Sequence, residues 1–205
     1  MSERDGVVFE EKIYPFPLIA SLLHSAHDLN GKLIVLDFGG SFGSSYYQCK
    51  DFLTGVQELT WCIVEQAHFV DCGKKYFETD ILRFYHNIEE CYADVTPNVI
   101  LFSGVLQYLP DPGVVLQSLV SKQPEYIIID RTPILENLQT RLALQVVPKS
   151  LGKASYPIRL FNSRDLTKYM DEKYTALFTF DAVDKNIYYN GTSLEFKGMV
   201  FKKSK

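Results

Sequence analysis

KLIVLDFGGSFGS, residues 32–44, governs how the rest of the chain is read. Residues 33–36 are continuously apolar, the mark of a strand buried on both faces of a parallel sheet. Asp37 closes the run. Gly39, Gly40 and Gly43 then carry the chain through a turn of little side-chain bulk into Ser44, Ser45, Tyr46 and Tyr47, which suit a helix. Such a turn lets backbone N–H groups approach a ligand closely, and a helix start adds free donors and partial positive charge. A nucleotide-type ligand is therefore expected at Asp37, Gly39, Gly40 and Gly43. The order Asp37-x-Gly39-Gly40-x-x-Gly43 lacks the middle spacing of the G-x-G-x-x-G dinucleotide fingerprint, and no Lys-Ser or Lys-Thr of a P-loop follows. A carboxylate two residues ahead of the first glycine would repel a pyrophosphate but suits a ligand end that carries an ammonium group.

Outward from this stretch the apolar pattern alternates between strand and helix. Upstream, Pro15 and Pro17 introduce apolar residues at 18, 19, 22, 23 and 26, a helical spacing stopped by Asn30-Gly31. Downstream, helices are predicted over 45–53, 66–76, 88–93 and 114–120, and strands over 59–64, 82–85, 98–102 and 125–129. Glu65 stands at the tip of the second strand, where a Rossmann-like fold meets the ribose hydroxyls of its ligand. Asn87 stands at the tip of the third, either as a ligand contact or as a helix N-cap. Asn162 caps a helix that buries Leu166 and Met170. Residues 174–183 and 194–201 then alternate around the turn signal Asn190-Gly191 as a terminal hairpin. The fold class is α/β: a Rossmann-like seven-stranded sheet, mostly parallel with an antiparallel C-terminal hairpin strand, and helices on both faces. Residues 1–205 read as a single domain with a polar N-terminal extension over 1–14.

The 205 residues are 46% hydrophobic, enough for one well-filled core. A net charge of −4 without a basic stripe excludes a dedicated nucleic-acid binder. Cys49, Cys62, Cys72 and Cys91 have irregular separations and no C-x-x-C pair, so they read as small core residues in a reducing compartment, with no metal implied. The charged N-terminus lacks the apolar core of a signal peptide, and no apolar run approaches the ~20 residues of a membrane span. A cytoplasmic protein without membrane partners is expected.

The strand ending at Asp37, its glycine turn and the acid at Glu65 resemble the class I S-adenosylmethionine-dependent methyltransferases. So does the stretch SGVLQYLPDP at 103–112, whose Leu106-x-x-Leu109-Pro110-Asp111 is a pattern common after their fourth strand. The resemblance implies S-adenosylmethionine as cofactor, bound by Asp37, Gly39, Gly40, Gly43, Glu65, Asn87, Ser103 and Gly104. Glu65 would take the ribose and Asn87 would lie near adenine. The Asp/Asn-Pro-Pro-aromatic tetrad of nucleic-acid-amine methyltransferases is absent, which leaves small molecules, lipids or sugars as acceptors. Residues 103–108, 129–133, 145–148 and 155–157 further resemble a branch of uncharacterised bacterial methyltransferases, some encoded beside surface-polysaccharide genes. The likeness runs from about residue 32 onward and carries little about substrate; the polar and aromatic residues Arg141, Gln145 and Tyr156 suit a polar small-molecule acceptor, a sugar, a small carboxylate or another polar metabolite.

Methyl transfer to a hydroxyl needs a group to take its proton. His86, Tyr108, Asp130 and Tyr156 are available, and Tyr108, Asp130 and Tyr156 are the catalytic candidates. Asp130 and Arg131, at the fifth strand tip, either face the transfer region or form a structural ion pair. Residues 134–161 are long for a plain connection and make a candidate substrate cover, with Arg141, Gln145 and Tyr156 closing over the acceptor. Packing on the sheet or a homodimer contact is the competing role. Three other functions are open: a nicotinamide-dependent oxidoreductase, a catalytically silent cofactor-binding or scaffold protein, and an aminopropyl transferase. The last is disfavoured by Ser103-Gly104, where it would carry an acidic pair.

Overall fold

The computed structural model describes residues 2–4, 7–9, 13–135, 138–147, 154–170, 172–184 and 187–204. Within the expected polar extension, β1 (Ser2–Arg4) and β2 (Val7–Phe9) pair antiparallel. The remainder of that extension lies partly outside the described residues, as do Pro148 and Gly152 of the expected cover.

From α1 (Phe16–Asp28) the chain alternates strand and helix. The elements are β3 (Lys32–Phe38), α2 (Ser44–Cys49), β4 (Glu58–Val64), α3 (Ala67–Tyr76) and β5 (Leu82–Tyr85), then α4 (Ile88–Asp94), β6 (Val99–Ser103), α5 (Pro112–Ser121) and β7 (Tyr126–Pro133). β3, β4, β5, β6 and β7 run parallel. Because successive side chains point to opposite faces, one strand feeds two cores. Leu33, Val35, Trp61, Ile63, Val99, Leu101, Tyr126 and Ile128 pack with Leu18, Ile19 and Leu22 of α1 and Val70 of α3. Leu36, Cys62, Val64, Ile100, Phe102, Ile127 and Ile129 pack with Ile88 and Cys91 of α4 and Leu116 and Leu119 of α5. This double burial explains the unbroken apolar runs. β3 is longer than the predicted 33–36, so Asp37 lies within the strand, not beyond it.

Beyond β7 come β8 (Arg141–Val146), β9 (Ser155–Leu160), α6 (Ser163–Thr167), β10 (Tyr174–Asp181), β11 (Ile187–Tyr189), β12 (Thr192–Leu194) and β13 (Phe196–Lys203). The seven-stranded sheet has the order β10-β13-β7-β6-β3-β4-β5. β13 runs antiparallel to both neighbours and lies between β10 and β7, which is the predicted inserted strand. The turn at Asn190-Gly191 differs from the prediction. It does not join β10 to β13 but closes the small hairpin β11–β12, with both residues in left-handed backbone (φ 48 and 79). The segment 134–161 differs as well, since it contains the antiparallel hairpin β8–β9. Ile158 and Leu160 of that hairpin share a third apolar cluster with Leu135 and Leu194, against which Ile187 and Tyr189 pack. Among the described residues, no helix is long and apolar enough to cross a membrane.

Candidate active site

The parallel strands end on one edge of the sheet, where open α/β sheets bind ligands. Two adjoining cavities open there, of about 450 and 420 Å³. They share Gly39, Glu65 and Val105, so they form two arms of one cleft.

The first arm starts at the glycine turn. Gly39 adopts φ 72, and its N–H donates to Val64 O at 2.9 Å, which carries the β3–β4 pairing one residue into the turn. Gly40 lies over the Asp37 carboxyl, where an added Cβ would stand 2.7 Å from Asp37 Oδ2 and 2.8 Å from Ile63 Cδ1. Ser41 takes a left-handed backbone (φ 53) that few non-glycine residues adopt. Gly43 (φ 93) then leads into α2. Gly39, Gly40, Ser41, Ser44 and Ser45 line the cavity. Asp37 lies beneath this wall, 1% exposed, and accepts a hydrogen bond at 3.1 Å from Trp61 Nε1. Burial pushes its carboxyl up to about 7 against the opposing effects of Trp61 and Arg131. Asp37 Oδ1 and Ser41 Oγ are buried without a hydrogen-bond partner among the described residues, a condition that calls for a ligand or bound water.

Glu65, at the junction of the arms, accepts a hydrogen bond from the N–H of Gln66 at 2.6 Å. The second arm is an apolar slot between Phe38, Val64, Ile88, Val105, Leu109 and Val115, with Asn87 and His86 at its rim. Asn87 lines this slot and is the N-cap of α4, its Oδ1 accepting from Glu90 N at 2.8 Å. His86 is thereby far along the chain edge from β7, and its Nε2 lies 3.9 Å from Asp71 Oδ1. The slot suits a flat heterocycle and Glu65 suits vicinal hydroxyls. The orphaned polar atoms at the turn suit a zwitterionic end. S-adenosylmethionine therefore fits the residues present.

The opposite wall of the first arm belongs to Ser103, Gly104, Val105, Tyr108, Arg131, Tyr156 and Pro157. Tyr108 lies in a 3₁₀ turn, Leu106–Tyr108, and its hydroxyl donates to Gln145 Oε1 of β8 at 3.2 Å. Its ring meets that of Tyr156 edge to face, centroids 5.5 Å apart. Tyr156 pairs with Gln145 across the hairpin. Thus Tyr108, Gln145 and Tyr156 are brought together, with Gln145 reaching the cavity only through its bond to Tyr108, while Arg141 turns its Nε to Gln139 O and does not line the cavity. Asp130 is 2% exposed and sits behind this wall. Ser103 Oγ donates to its Oδ2 at 3.0 Å. Burial raises the Asp130 carboxyl to about 6, held there against Arg131 and Ser103, which both favour the carboxylate.

Arg131 forms its ion pair with Asp184, Nε to Oδ2 at 2.7 Å, and not with Asp130. Sequence reading missed Asp184, together with Gln107, whose Nε2 donates to Arg131 O at 3.1 Å and whose Oε1 is buried without a partner among the described residues. No spacing rule connects residues 131 and 184, which meet only after the β10–β13 excursion folds back. Ser41 was also missed, although its place inside the glycine turn was a local signal.

No family model matches the sequence, and no curated protein does. Solved structures do match in fold. One is the 1,6-didemethyltoxoflavin-N1-methyltransferase of Burkholderia thailandensis, bound to 1,6-didemethyltoxoflavin and S-adenosylhomocysteine. It has 15% identity over 91% of this chain and 77% of that one, with a TM-score of 0.52. The N-terminal domain of EvdMO1, in the presence of S-adenosylhomocysteine and D-fucose, has 11% identity over 99% and 89%, with a TM-score of 0.58. An S-adenosylmethionine-dependent methyltransferase of Clostridium acetobutylicum has 11% identity over 94% and 93%, with a TM-score of 0.56. The sheet, with its inserted antiparallel strand, is the Rossmann-like fold these proteins share.

Proposed function

We propose that the protein transfers a methyl group from S-adenosylmethionine to a polar small molecule, a sugar or comparable hydroxylated metabolite. The observation that carries this reading is the two-armed cleft. A glycine turn with two orphaned polar atoms, a carboxylate at the junction of the arms and an apolar slot follow one another in the order that the amino acid, ribose and adenine of the cofactor require. Of the neighbours of the same fold, one has S-adenosylhomocysteine bound and another is a structure obtained in the presence of S-adenosylhomocysteine and D-fucose. The inserted β13 speaks against a nicotinamide fold, which would add another parallel strand there.

In this reading the cofactor supplies a methyl group activated on a sulfonium. Glu65 accepts hydrogen bonds from the ribose hydroxyls, and Phe38, Val64, Ile88 and Val105 enclose the adenine. Asp37 supports the ammonium end from under the Gly40 turn. Ser103, on the cavity wall, passes a proton from an acceptor hydroxyl to Asp130, whose raised pKa near 6 suits a base working around neutrality. Tyr108, Gln145 and Tyr156, the last two from the cover 134–161, close over the acceptor and exclude water.

The test has two stages. Calorimetric titration with S-adenosylhomocysteine and, separately, NAD should give binding for the first alone. A metabolite screen for S-adenosylhomocysteine release then identifies the acceptor. Binding of NAD in place of S-adenosylhomocysteine would overturn the reading, and binding without turnover on any acceptor would mark a silent cofactor-binding protein.

A further inference from the structure

We infer that the acceptor carries a carboxylate, received by the guanidinium of Arg131, an inference that rests on reading the cleft as a methyl-transfer site. Its basis is the effort the fold makes to aim one side chain. In the β7–β13 ladder Thr132 is paired with Lys197 and Ile129 with Met199, so Asp130 and Arg131 together oppose the single residue Gly198. This is a β-bulge, a device that re-aims a side chain beside a site. Slippage is blocked at Gly198, where an added Cβ would stand 2.1 Å from the Phe180 ring. Arg131 consequently adopts φ 55, a backbone region costly for a long side chain and found mainly where function requires it.

Two buried groups hold it there. Gln107 donates to its carbonyl oxygen, and Asp184 accepts from its Nε, with the Arg131 and Asp184 side chains each 9% exposed. Asp184 engages only Nε. The two Nη groups make no hydrogen bond to the described residues, yet the side chain lines the cavity. Among the described residues lining that cavity, Arg131 is the one cation. Gly104 lies beside the guanidinium, where a Cβ would come into van der Waals contact at 3.6 Å from Arg131 Cζ. A guanidinium whose Nε is already fixed presents its remaining donors as a planar fork, the geometry that matches a carboxylate. A neutral acceptor could offer those donors a hydroxyl or carbonyl oxygen, but without the charge and the paired oxygens that make the carboxylate contact the stronger one. The Tyr108–Tyr156 pair beside the fork would flank the body of such an acid.

Calorimetry of the full chain with S-adenosylhomocysteine comes first, because absence of binding there ends the methyl-transfer reading independently of Arg131. The S-adenosylhomocysteine-loaded protein is then titrated by ligand-observed NMR with matched pairs, glucuronate against glucose and 4-hydroxybenzoate against 4-hydroxybenzamide, and with inorganic phosphate. At least one carboxylate should bind about tenfold more tightly than its neutral partner. Arg131→Gln should erase that preference, and Arg131→Lys should retain part of it. Three results would overturn the inference: acids and neutral partners binding alike or not at all at millimolar concentration; phosphate binding more tightly than either acid; or Arg131→Gln weakening S-adenosylhomocysteine while leaving 5′-methylthioadenosine unchanged. The last would assign the guanidinium to the cofactor's own carboxylate. If Arg131→Gln fails to fold, the wild-type preference and its retention in Arg131→Lys decide the matter.

Discussion

The wall around Gly39, Glu65 and Asn87 is assembled from the tips of three parallel strands that follow one another in sequence. The wall around Tyr108, Arg131 and Tyr156 draws instead on a 3₁₀ turn, a bulged strand and a hairpin, and is tied together by contacts between residues far apart in the chain. The first wall is therefore set by local sequence and sheet order. The second depends on long-range hydrogen bonds and on packing outside the sheet. If the cofactor belongs to the first and the acceptor to the second, substitutions should divide cleanly into those that remove cofactor affinity and those that remove turnover alone.

The largest effect is expected at Glu65. Loss of hydrogen bonds from a charged acceptor to the ribose costs ~1.5–3 kcal/mol each. Glu65→Ala should thus weaken S-adenosylhomocysteine about 100-fold or more, and Glu65→Gln less. The thermal midpoint should stay near wild type, because Glu65 is only partly buried and its side chain bonds to the adjoining N–H of Gln66. Calorimetry and thermal unfolding together check this. Affinity and folded state lost together would make Glu65 a structural residue.

On the other wall, Tyr156→Ala and Gln145→Ala should leave S-adenosylhomocysteine affinity within about twofold while lowering turnover at least about tenfold. Both positions are on the β8–β9 hairpin, outside the seven-stranded sheet. Tyr108→Phe refines the point, since it keeps the ring against Tyr156 and removes only the hydroxyl that donates to Gln145. Normal turnover in all three variants would mean that the hairpin does not cover the acceptor.

The same division explains what could be read from the sequence. Buried parallel strands announce themselves through runs such as 33–36 and 126–129, and the Glu65 tip follows from counting strands. The β8–β9 hairpin was harder because its alternation is inverted: Leu142, Leu144 and Val146 are 62, 67 and 71% exposed, while Arg141, Ala143 and Gln145 face inward. Polar-in and apolar-out reads as an irregular segment. Asn190-Gly191 was correctly a turn, but the strands it joins are the three-residue β11 and β12, too short to register against the longer β10 and β13 on either side. The bulge at Asp130–Arg131 has no local signature, since it is specified by Gly198 on another strand.

Two buried carboxyls, one in each half, set the pH dependence of stability, and one of them sets that of turnover in the opposite direction. Asp37 and Asp130 are raised to about 7 and about 6. Between pH ~4 and ~7 the folded protein therefore holds protons that the unfolded chain has released, and its stability falls as pH rises through that window. Asp37→Asn and Asp130→Asn should each flatten the pH dependence of the thermal midpoint. If Asp130 takes the acceptor's proton, turnover should run the other way, rising through about pH 6 as its carboxyl loses its own proton. Asp130→Asn should abolish this rise, whereas Asp37→Asn should leave it in place. A turnover profile that is flat between pH 5 and 8 in the wild type would remove Asp130 from proton transfer.

The smallest effect should come from the turn most remote from the chemistry. Gly191 has φ 79 in the β11–β12 turn, with no heavy atom within 4 Å of the place where a Cβ would stand. Gly191→Ala therefore meets no clash, and its cost is the backbone strain alone, about 1 kcal/mol. That cost falls on a hairpin whose Ile187, Tyr189 and Leu194 pack in one cluster with Leu135 and with Ile158 and Leu160 of the β8–β9 hairpin. The chain entering β11 also carries Asp184, which holds Arg131. Loosening this small hairpin should lower turnover a few-fold through the acceptor wall, with S-adenosylhomocysteine affinity unchanged because no strand tip of the first wall moves. Amide hydrogen exchange should show faster exchange in β8, β9, β11 and β12 and none in β3 or β4. If cofactor affinity fell as much as turnover, the two walls would be mechanically one unit, and the separation drawn between them would fail at its weakest joint.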